Sequence, residues 1–327
     1  MRRRDFIKGI VGATTAWPLT ALAQQSKNPL IGYLNAGSAA TTAHLLTVFR
    51  QSLAEAGYVE GRNVAIEYRF AEGQYDRLPA IASELVSREV TVIVATGGTA
   101  PALAAKAATA AIPIVFGVTE DPVALGLVVS FARPGGNATG INFPLAELAA
   151  KQLGLLHELV PAARRIGLLV NPKNSPSEAV TKDVMVAASA AGIEISVVEA
   201  DSSRKIDTAF ATLVHNRTEA LLIGTDPFLF SRRVQLATLA ARHAIPAAFT
   251  AREFSEVGGL MSYGTSITEV FRQVGAYVGR ILKGVKPADL PVLRSATFEF
   301  VINMSTANAL GLEIPPTLLS RADEVIE

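Results

Sequence analysis

Runs of apolar, β-branched residues alternate with helix-forming segments along most of this chain, and this alternation constrains the fold more than any other feature. The run Val90–Ala95 is typical of a strand buried on both faces. A Gly97-Gly98 turn follows, and Ala102–Ala108 is then a strong helix former, whose first turn Thr99 can cap. Alternating strands and helices predict parallel sheets covered by helices.

The same pattern predicts further elements on either side of this unit. They are strands at Leu30–Asn35, Val64–Phe70 and Ile112–Gly117 and helices at Thr41–Ala56 and Arg77–Ser87. The turn-rich segment Arg133–Gly140 interrupts the alternation. We interpret this break as the end of a first lobe.

The second half of the chain repeats the arrangement of the first. Ile31–Asn35 returns as Ile166–Asn171, Val92–Gly98 as Leu221–Pro227 and Ile112–Phe116 as Ile245–Phe249, at offsets of 135, 129 and 133 residues. Three matches in the same order indicate one architecture built twice. We therefore predict an α/β fold of two similar lobes, each a parallel sheet flanked by helices.

The segments after the second lobe are expected to join the two lobes. We predict a strand at Gly258–Gly264 that returns to the first lobe, a helix at Ile267–Leu282 that packs there, and a further strand at Thr297–Asn303. Lobe I is accordingly assigned to residues 28–141 and 262–292, and lobe II to residues 142–261 and 293–327. Crossover strands between two lobes predict a hinged clamp with a ligand cleft at the carboxyl ends of the strands.

The N-terminus has the three parts of an export signal in order. Arg3-Arg4-Asp5-Phe6-Ile7-Lys8 is a twin-arginine motif, a short apolar run follows to Leu22, and Ala21-Leu22-Ala23 is a small-residue cleavage site. The apolar run is too short and weak for a spanning helix. We predict a signal peptide over residues 1–23, cleaved near Ala23, and a periplasmic protein with no membrane span; the alternative is an amphipathic first helix.

Composition excludes several classes of function. A net charge of +1 provides no basic face for nucleic acid, and the absence of cysteine excludes a thiolate nucleophile, a Cys-ligated metal and a lipid anchor at the cleavage site. His44, His157, His215 and His243 show no metal-ligand spacing. We expect no metal and no cofactor.

Several short segments together resemble a known protein family. They are Gly57–Val64, Glu67-Tyr68-Arg69 with Glu72-Gly73, Arg77-Leu78-Pro79, Ala104–Ala107, Ile112–Phe116, Asp121-Pro122-Val123 and Arg133–Gly140. In this order they resemble the substrate-binding proteins of ABC transporters, in the tryptophan/phenylalanine-binding-like family with the type I periplasmic binding fold.

That resemblance implies solute capture and delivery to an ABC permease in the inner membrane, without catalysis. We predict a monomeric protein and a small carboxylate-bearing solute, an amino acid first and an aromatic acid second. The chain contains no nucleophile elbow, Walker loop or dinucleotide fingerprint, in agreement with a protein that is not an enzyme.

The ligand residues are expected in loops at the carboxyl ends of the repeated strands. We predict Asn35, Gly37, Ser38, Thr96, Gly97, Gly98, Thr99, Thr119, Glu120 and Asp121 in lobe I, Asn171, Asn174, Ser175, Thr225 and Asp226 in lobe II, and Tyr263 at the crossing. A ligand carboxylate would bind the Gly98 and Thr99 amides and the Ser38 hydroxyl. An amino group would prefer Asp226, with Glu120 or Asp121 as the alternative.

Each of these residues could instead serve only a turn or a helix cap. An aromatic wall could come from Phe116, Phe228, Phe230, Phe249 and Tyr263, although Phe116 and Phe249 fit buried strands better. A sensory module that presents ligand to a membrane receptor, or an exported enzyme on the same scaffold, remains an alternative function. A DNA-binding repressor is excluded because an export signal occupies the place of its helix-turn-helix.

Overall fold

The computed structural model describes residues 28–144 and 146–327. The predicted signal peptide lies outside the described residues. The first lobe begins with β1 (Leu30–Asn35), α1 (Ala39–Glu55), β2 (Ala65–Phe70), α2 (Leu78–Ser87), β3 (Val92–Thr96), α3 (Thr99–Ala108), β4 (Ile114–Val118) and β5 (Ala138–Asn142). The predicted strands and helices of this lobe are confirmed, with bounds shifted by a few residues.

The second lobe repeats the alternation of strand and helix. It contains α4 (Ala146–Leu159), β6 (Arg165–Val170), α5 (Ser177–Ala191), β7 (Glu194–Glu199), α6 (Ser203–His215), β8 (Ala220–Ile223), α7 (Pro227–Ser231), α8 (Arg233–Arg242), β9 (Ala247–Phe249), α9 (Arg252–Glu256) and β10 (Met261–Thr265). The remaining elements are α10 (Ile267–Leu282), β11 (Leu293–Arg294), β12 (Phe298–Asn303), α11 (Met304–Ala309), α12 (Pro316–Leu319) and β13 (Glu324–Ile326).

The strands form two separate sheets, one in each lobe. The first has the order β11-β5-β4-β3-β1-β2, and the second has the order β13-β12-β10-β9-β8-β6-β7. The pairing is parallel throughout, except that β12 runs antiparallel to β10. The predicted two-lobe α/β fold is confirmed, and the two sheets are not continuous.

The strand at residues 261–265 corrects one prediction. We expected it to return to the first lobe, but Met261 and Ser262 pair with β9, so this strand extends the second sheet. The chain then crosses at the start of α10, which packs on α1 and on the first sheet, as predicted. Residues 293–294 pair with β5 in the first sheet although we had assigned them to lobe II. Only the tertiary structure reveals which sheet receives such a short strand.

Apolar side chains cover both faces of each sheet. On the first sheet, α1 and α10 form one core, which contains the buried Phe49 and Val274, and α2 and α3 form another, which contains Leu85 and Ala102. Because both faces are buried, the inner strands β3, β4, β8 and β9 are almost entirely apolar, whereas the edge strand β2 carries Glu67 and Arg69. Polar residues at the carboxyl ends of the inner strands, such as Thr96, therefore mark the site.

Candidate functional site

A cavity of about 110 Å³ lies between the two lobes, beyond the carboxyl ends of both sheets. A single water needs only about 10–15 Å³, so the cavity has room for a small solute. Its lining consists of Asn35, Gly37, Thr41, Thr42, Leu45, Gly97, Gly98, Thr119, Phe143, Asn174, Gly224, Thr225, Asp226, Pro227, Phe230, Thr250, Ala251, Phe254, Thr265, Ile267 and Phe271. Both lobes therefore contribute to one site.

The Gly97-Gly98 turn forms the first-lobe side of this cavity. Both residues have positive φ angles, 81° and 96°, which L side chains rarely adopt. Gly98 is the N-cap residue of α3 and supplies no side-chain cap. We predicted that Thr99 caps this helix; this was wrong, because Thr99 already belongs to the helix and its hydroxyl lies 3.3 Å from that of Thr119. The N–H groups of the first turn of a helix lack intrahelical acceptors and favour an anion.

The side chains of Asn35 and Thr96 stabilise the Gly97-Gly98 turn and the neighbouring loop. The side-chain oxygen of Asn35 accepts the Gly37 N–H at 2.7 Å, and its amide nitrogen donates to the Thr96 hydroxyl at 3.0 Å. Thr96 in turn donates to the Tyr33 hydroxyl at 2.9 Å, and burial raises the pKa of that phenol. Asn35 lines the cavity, but its polar atoms already have protein partners, so it positions the loops.

Asp226 is the N-cap residue of α7 on the opposite side of the cavity. Its carboxylate accepts the Leu229 N–H at 2.8 Å, the Asn171 amide at 3.2 Å and the Tyr75 hydroxyl at 2.5 Å. Burial raises the pKa of Asp226, and the hydrogen bonds oppose that shift.

Tyr75 belongs to the first lobe, so its bond to Asp226 joins the lobes. Two further side-chain bonds do the same: the Ser175 hydroxyl donates to Glu120 at 3.0 Å, and His44 Nε2 lies 2.9 Å from a Glu253 oxygen. These bonds hold the lobes together around the cavity. Glu120 and Ser175, both predicted to bind ligand, contact each other instead of lining the cavity.

Other predicted residues have structural roles around the site. Ser38 caps α1 by accepting the Thr41 N–H, and Asp121 accepts the Val123 N–H at 2.7 Å. Asn174 lines the cavity and donates to the Thr225 carbonyl at 2.9 Å. Asn171 does not line the cavity and acts through Asp226.

Tyr263 lies outside the cavity lining. Its ring packs beside Phe298 and Phe300, each with a centroid separation of 6.2 Å, because β10 pairs with β12 in the second sheet. The expectation that Tyr263 reaches the site followed from the wrong placement of this strand. The eight predicted residues that do line the cavity are Asn35, Gly37, Gly97, Gly98, Thr119, Asn174, Thr225 and Asp226.

The aromatic part of the lining differs from the predicted wall. Phe116 and Phe249 are fully buried core residues, and of the five predicted aromatic residues only Phe230 lines the cavity. Phe143, Phe254 and Phe271 join it. Sequence reasoning missed them because they lie after a strand or on helices that no motif marked. The first turn of α10 offered one signal, since Ile267 lies two residues after the end of β10 at Thr265.

Thr265 is another lining residue that sequence reasoning missed. It is 4% exposed, and its hydroxyl is buried without a hydrogen-bond partner among the described residues. An unpartnered buried hydroxyl loses its hydrogen bonds to water without compensation. This hydroxyl is therefore available to a ligand.

Comparison with known proteins agrees with this architecture. The sequence model of the family described as ABC transporter substrate binding protein matches residues 41–326. A tyrosine-binding protein from Clostridioides difficile (strain R20291) is 28% identical over 265 residues, which cover 81% of this chain and 76% of the relative. Both matches are to proteins that bind a solute and not to enzymes.

Two solved structures share the fold and the level of identity. The ABC domain in complex with L-Trp from Streptococcus pneumonia is 27% identical, with a TM-score of 0.82 over 92% of this chain and 100% of that one. The ligand-free, open structure of a substrate binding protein with adhesive properties from Clostridium difficile is 26% identical, with a TM-score of 0.64 over 91% and 99%.

No helix among residues 28–144 and 146–327 is long and apolar enough to span a membrane. The family match covers most of the chain, and the two sheets with a cavity between them are the architecture that solute capture requires. Substrate-binding proteins of this kind work with a small-molecule solute and an ABC permease. This chain therefore belongs to the ABC transporter substrate-binding protein family and has the type I periplasmic binding fold.

Proposed function

We propose that this protein is the extracytoplasmic binding component of an ABC importer and that it captures a small carboxylate-bearing solute, an amino acid or an aromatic acid, between its lobes. The observation that carries the proposal is the interlobe cavity, where the uncapped start of α3 at Gly98 faces a lining rich in phenylalanine. Helix N-termini favour anions, and aromatic side chains favour an apolar or aromatic body. The relatives named for tyrosine and L-Trp support this class of solute.

The test is ligand-dependent thermal stabilisation of the purified protein against a panel of amino acids, organic acids and neutral sugars. A ligand at a hundred times its dissociation constant stabilises by about 2.7 kcal/mol. For a protein of this size that corresponds to a rise in Tm of roughly 4 °C. Absence of stabilisation by every low-mass carboxylate would overturn the proposal. Thermal shift is preferred to intrinsic fluorescence because the single tryptophan, Trp17, lies in the predicted signal peptide.

The proposed location is the periplasm, reached through the twin-arginine signal. Replacing Arg3 and Arg4 together by lysine keeps the charge and removes the motif. We expect the double variant to remain in the cytoplasm at its full length. Mass spectrometry of the periplasmic fraction should find the unaltered protein shortened to begin near Gln24. Equal periplasmic amounts of both proteins would contradict the twin-arginine assignment.

A further inference from the structure

We propose that Tyr75 is a positioning residue that keeps the two lobes closed over a captured solute, because its hydroxyl reaches from the first lobe to Asp226 in the second. This inference rests on the proposed function and names a residue that retains the solute without lining the cavity. Its basis is the burial of this interlobe hydrogen bond, the firm attachment of both partners, and the position of Asp226 at the cavity.

Tyr75 lies in the connection between β2 and α2, and this connection is attached to the loop that follows β1. The N–H groups of Ala71 and Gly73 donate to the carbonyl oxygens of Asn35 and Ala36, at 2.9 and 2.8 Å. The tyrosine ring packs against the apolar core that the first sheet forms with α2 and α3. Tyr75 is therefore fixed to the first lobe and moves with it.

Asp226 is held just as firmly in the second lobe. It caps α7 by accepting the Leu229 N–H at 2.8 Å, and the amide of Asn171, which follows β6, donates to the same carboxylate at 3.2 Å. The residue is only 3% exposed. Because each partner is already ordered within its own lobe, closure forms the bond with little further loss of side-chain freedom.

The bond joins a hydroxyl donor to a charged acceptor. The Tyr75 oxygen lies 2.5 Å from the Asp226 carboxylate, which is the short distance typical of an ionised acceptor. Burial and the charge of Asp226 raise the pKa of Tyr75, so the phenol keeps its proton and remains the donor. A hydrogen bond to a charged group stabilises more than a bond between neutral groups.

The other two interlobe side-chain bonds are more exposed to water. Ser175 and Glu120 meet at the surface, and the His44 side chain beside Glu253 is 43% exposed. Exposed polar pairs contribute little, because water and salt compete with them. Of these three bonds, the one formed by Tyr75 is therefore expected to decide how firmly the lobes close.

The backbone around this bond also allows a close approach of the lobes. Gly73 and Gly98 are first-lobe turn residues with positive φ angles, 76° and 96°. A Cβ at Gly73 would lie 3.4 Å from the Cβ of Phe228, and one at Gly98 would lie 3.8 Å from the ring of Pro227. The start of α7 therefore packs against two turns without side chains, within reach of the Tyr75 hydroxyl.

The bond links closure to the cavity. It exists only while the lobes are closed, and Asp226 lines the cavity that lies between them. A contribution confined to the closed form shifts the equilibrium between open and closed lobes toward the closed form. A solute that contacts both lobes then dissociates more slowly, because the lobes must separate before it leaves. Tyr75 thus acts on solute retention through Asp226.

Crosslinking across the cleft measures closure without requiring a ligand. The chain contains no cysteine, so Glu120→Cys with Ser175→Cys introduces one thiol in each lobe, at positions whose side-chain oxygens lie 3.0 Å apart. A short reagent with two thiol-reactive ends joins them in the closed form, and mass spectrometry follows the rate. Tyr75→Phe is added to this double variant. The matched control is Tyr277→Phe, which removes a tyrosine hydrogen bond within the first lobe, to the Pro291 carbonyl at 2.7 Å.

We expect Tyr75→Phe to slow crosslinking at least twofold and Tyr277→Phe to leave the rate unchanged. Loss of a hydrogen bond to a charged group lowers the equilibrium constant for closure about tenfold, and the rate falls by less than this where the closed form predominates. An unchanged rate in Tyr75→Phe, an equal decrease in both variants, or no crosslinking of the parent double variant would overturn the inference.

Titration calorimetry with L-tyrosine as the probe tests the link to retention. The apparent dissociation constant varies inversely with the closed fraction, so Tyr75→Phe should weaken binding by the same factor by which it slows crosslinking. Weaker binding with unchanged crosslinking would mean that Tyr75 acts on the solute directly and would overturn the inference. Failure of the proposed function gives a different result: no carboxylate binds the original protein, while the crosslinking rates still decide the role of Tyr75.

Discussion

Alanine substitution at Gly97 and at Gly98 tests whether the turn beside the cavity is built around the Asn35 side chain. Both glycines have positive φ angles, 81° and 96°. An L residue with such a φ costs roughly 1–3 kcal/mol, and the ψ of −173° at Gly98 lies in a region that is essentially restricted to glycine. Backbone strain alone therefore predicts that Gly98→Ala loses at least as much stability as Gly97→Ala.

Their surroundings differ. A Cβ at Gly97 would lie 2.8 Å from the side-chain oxygen of Asn35 and 3.0 Å from the backbone nitrogen of Ala36, whereas a Cβ at Gly98 would meet only Pro227, at 3.8 Å. The Asn35 oxygen cannot move away freely because it holds the Gly37 N–H at 2.7 Å. Displacing it leaves a buried donor unpaired, which costs about 1–3 kcal/mol.

We therefore expect Gly98→Ala to lower the free energy of unfolding by about 1–3 kcal/mol and Gly97→Ala to lower it by about 2–6 kcal/mol. Urea denaturation followed by circular dichroism measures both, with midpoints compared at a common m value. In an Asn35→Ala background the difference between the two variants should shrink. A difference between the two variants that is the same in the Asn35→Ala background as in the original one would refute the assigned role of Asn35.

Three further predictions address the aromatic lining, the helix contact and the response to pH. Phe116→Ala should cost about 3–5 kcal/mol of stability, since this side chain is fully buried, whereas Phe230→Ala should mainly weaken ligand binding in calorimetry; the reverse ranking would contradict the division between core and cavity. Gly275→Ala should lower stability by about 1–3 kcal/mol in urea, because its Cβ would lie 2.7 Å from a backbone oxygen of α1, while Gly154→Ala, whose Cβ meets nothing within 4 Å, should not. Two backbone N–H groups lower the pKa of Glu219 below its ordinary value of 4.5, so its charged form stabilises the folded state above that pH. Glu219→Gln should therefore be less stable than the original protein at neutral pH, and the difference should disappear in acid as pH falls through the lowered pKa. A difference in stability that does not change with pH would exclude this linkage.

The response to pH expected at Asp226 has the opposite sign. Because burial raises its pKa, the folded state binds more protons than the unfolded state just above the ordinary value of 3.8. Its contribution to the free energy of unfolding therefore decreases as pH rises from that value through the raised pKa. Asp226→Asn should flatten this part of the profile in urea denaturation at several pH values, and an unchanged slope would show that Asp226 does not titrate there.

The sequence alone determined the elements and much of the first-lobe side of the site. The apolar strand at Val92–Thr96, the glycine pair after it and the helix after that are local signals, set by burial on both faces of a strand and by the conformational freedom of glycine. The repeat of this unit in the second half was sufficient to predict two lobes and to direct attention to Asp226.

The tertiary structure decided which of those residues are free to bind. Tyr75 lies 151 positions before Asp226 in sequence, yet its hydroxyl donates to the carboxylate that we had assigned to a ligand amino group. Phe271 lines the cavity only because α10 packs back onto the first sheet, and Tyr263 is excluded because its strand belongs to the second sheet. Strand and turn preferences act over a few residues, whereas the hydrogen bonds of a buried carboxylate and the apolar lining of a cavity depend on contacts between distant segments, which local sequence patterns do not encode.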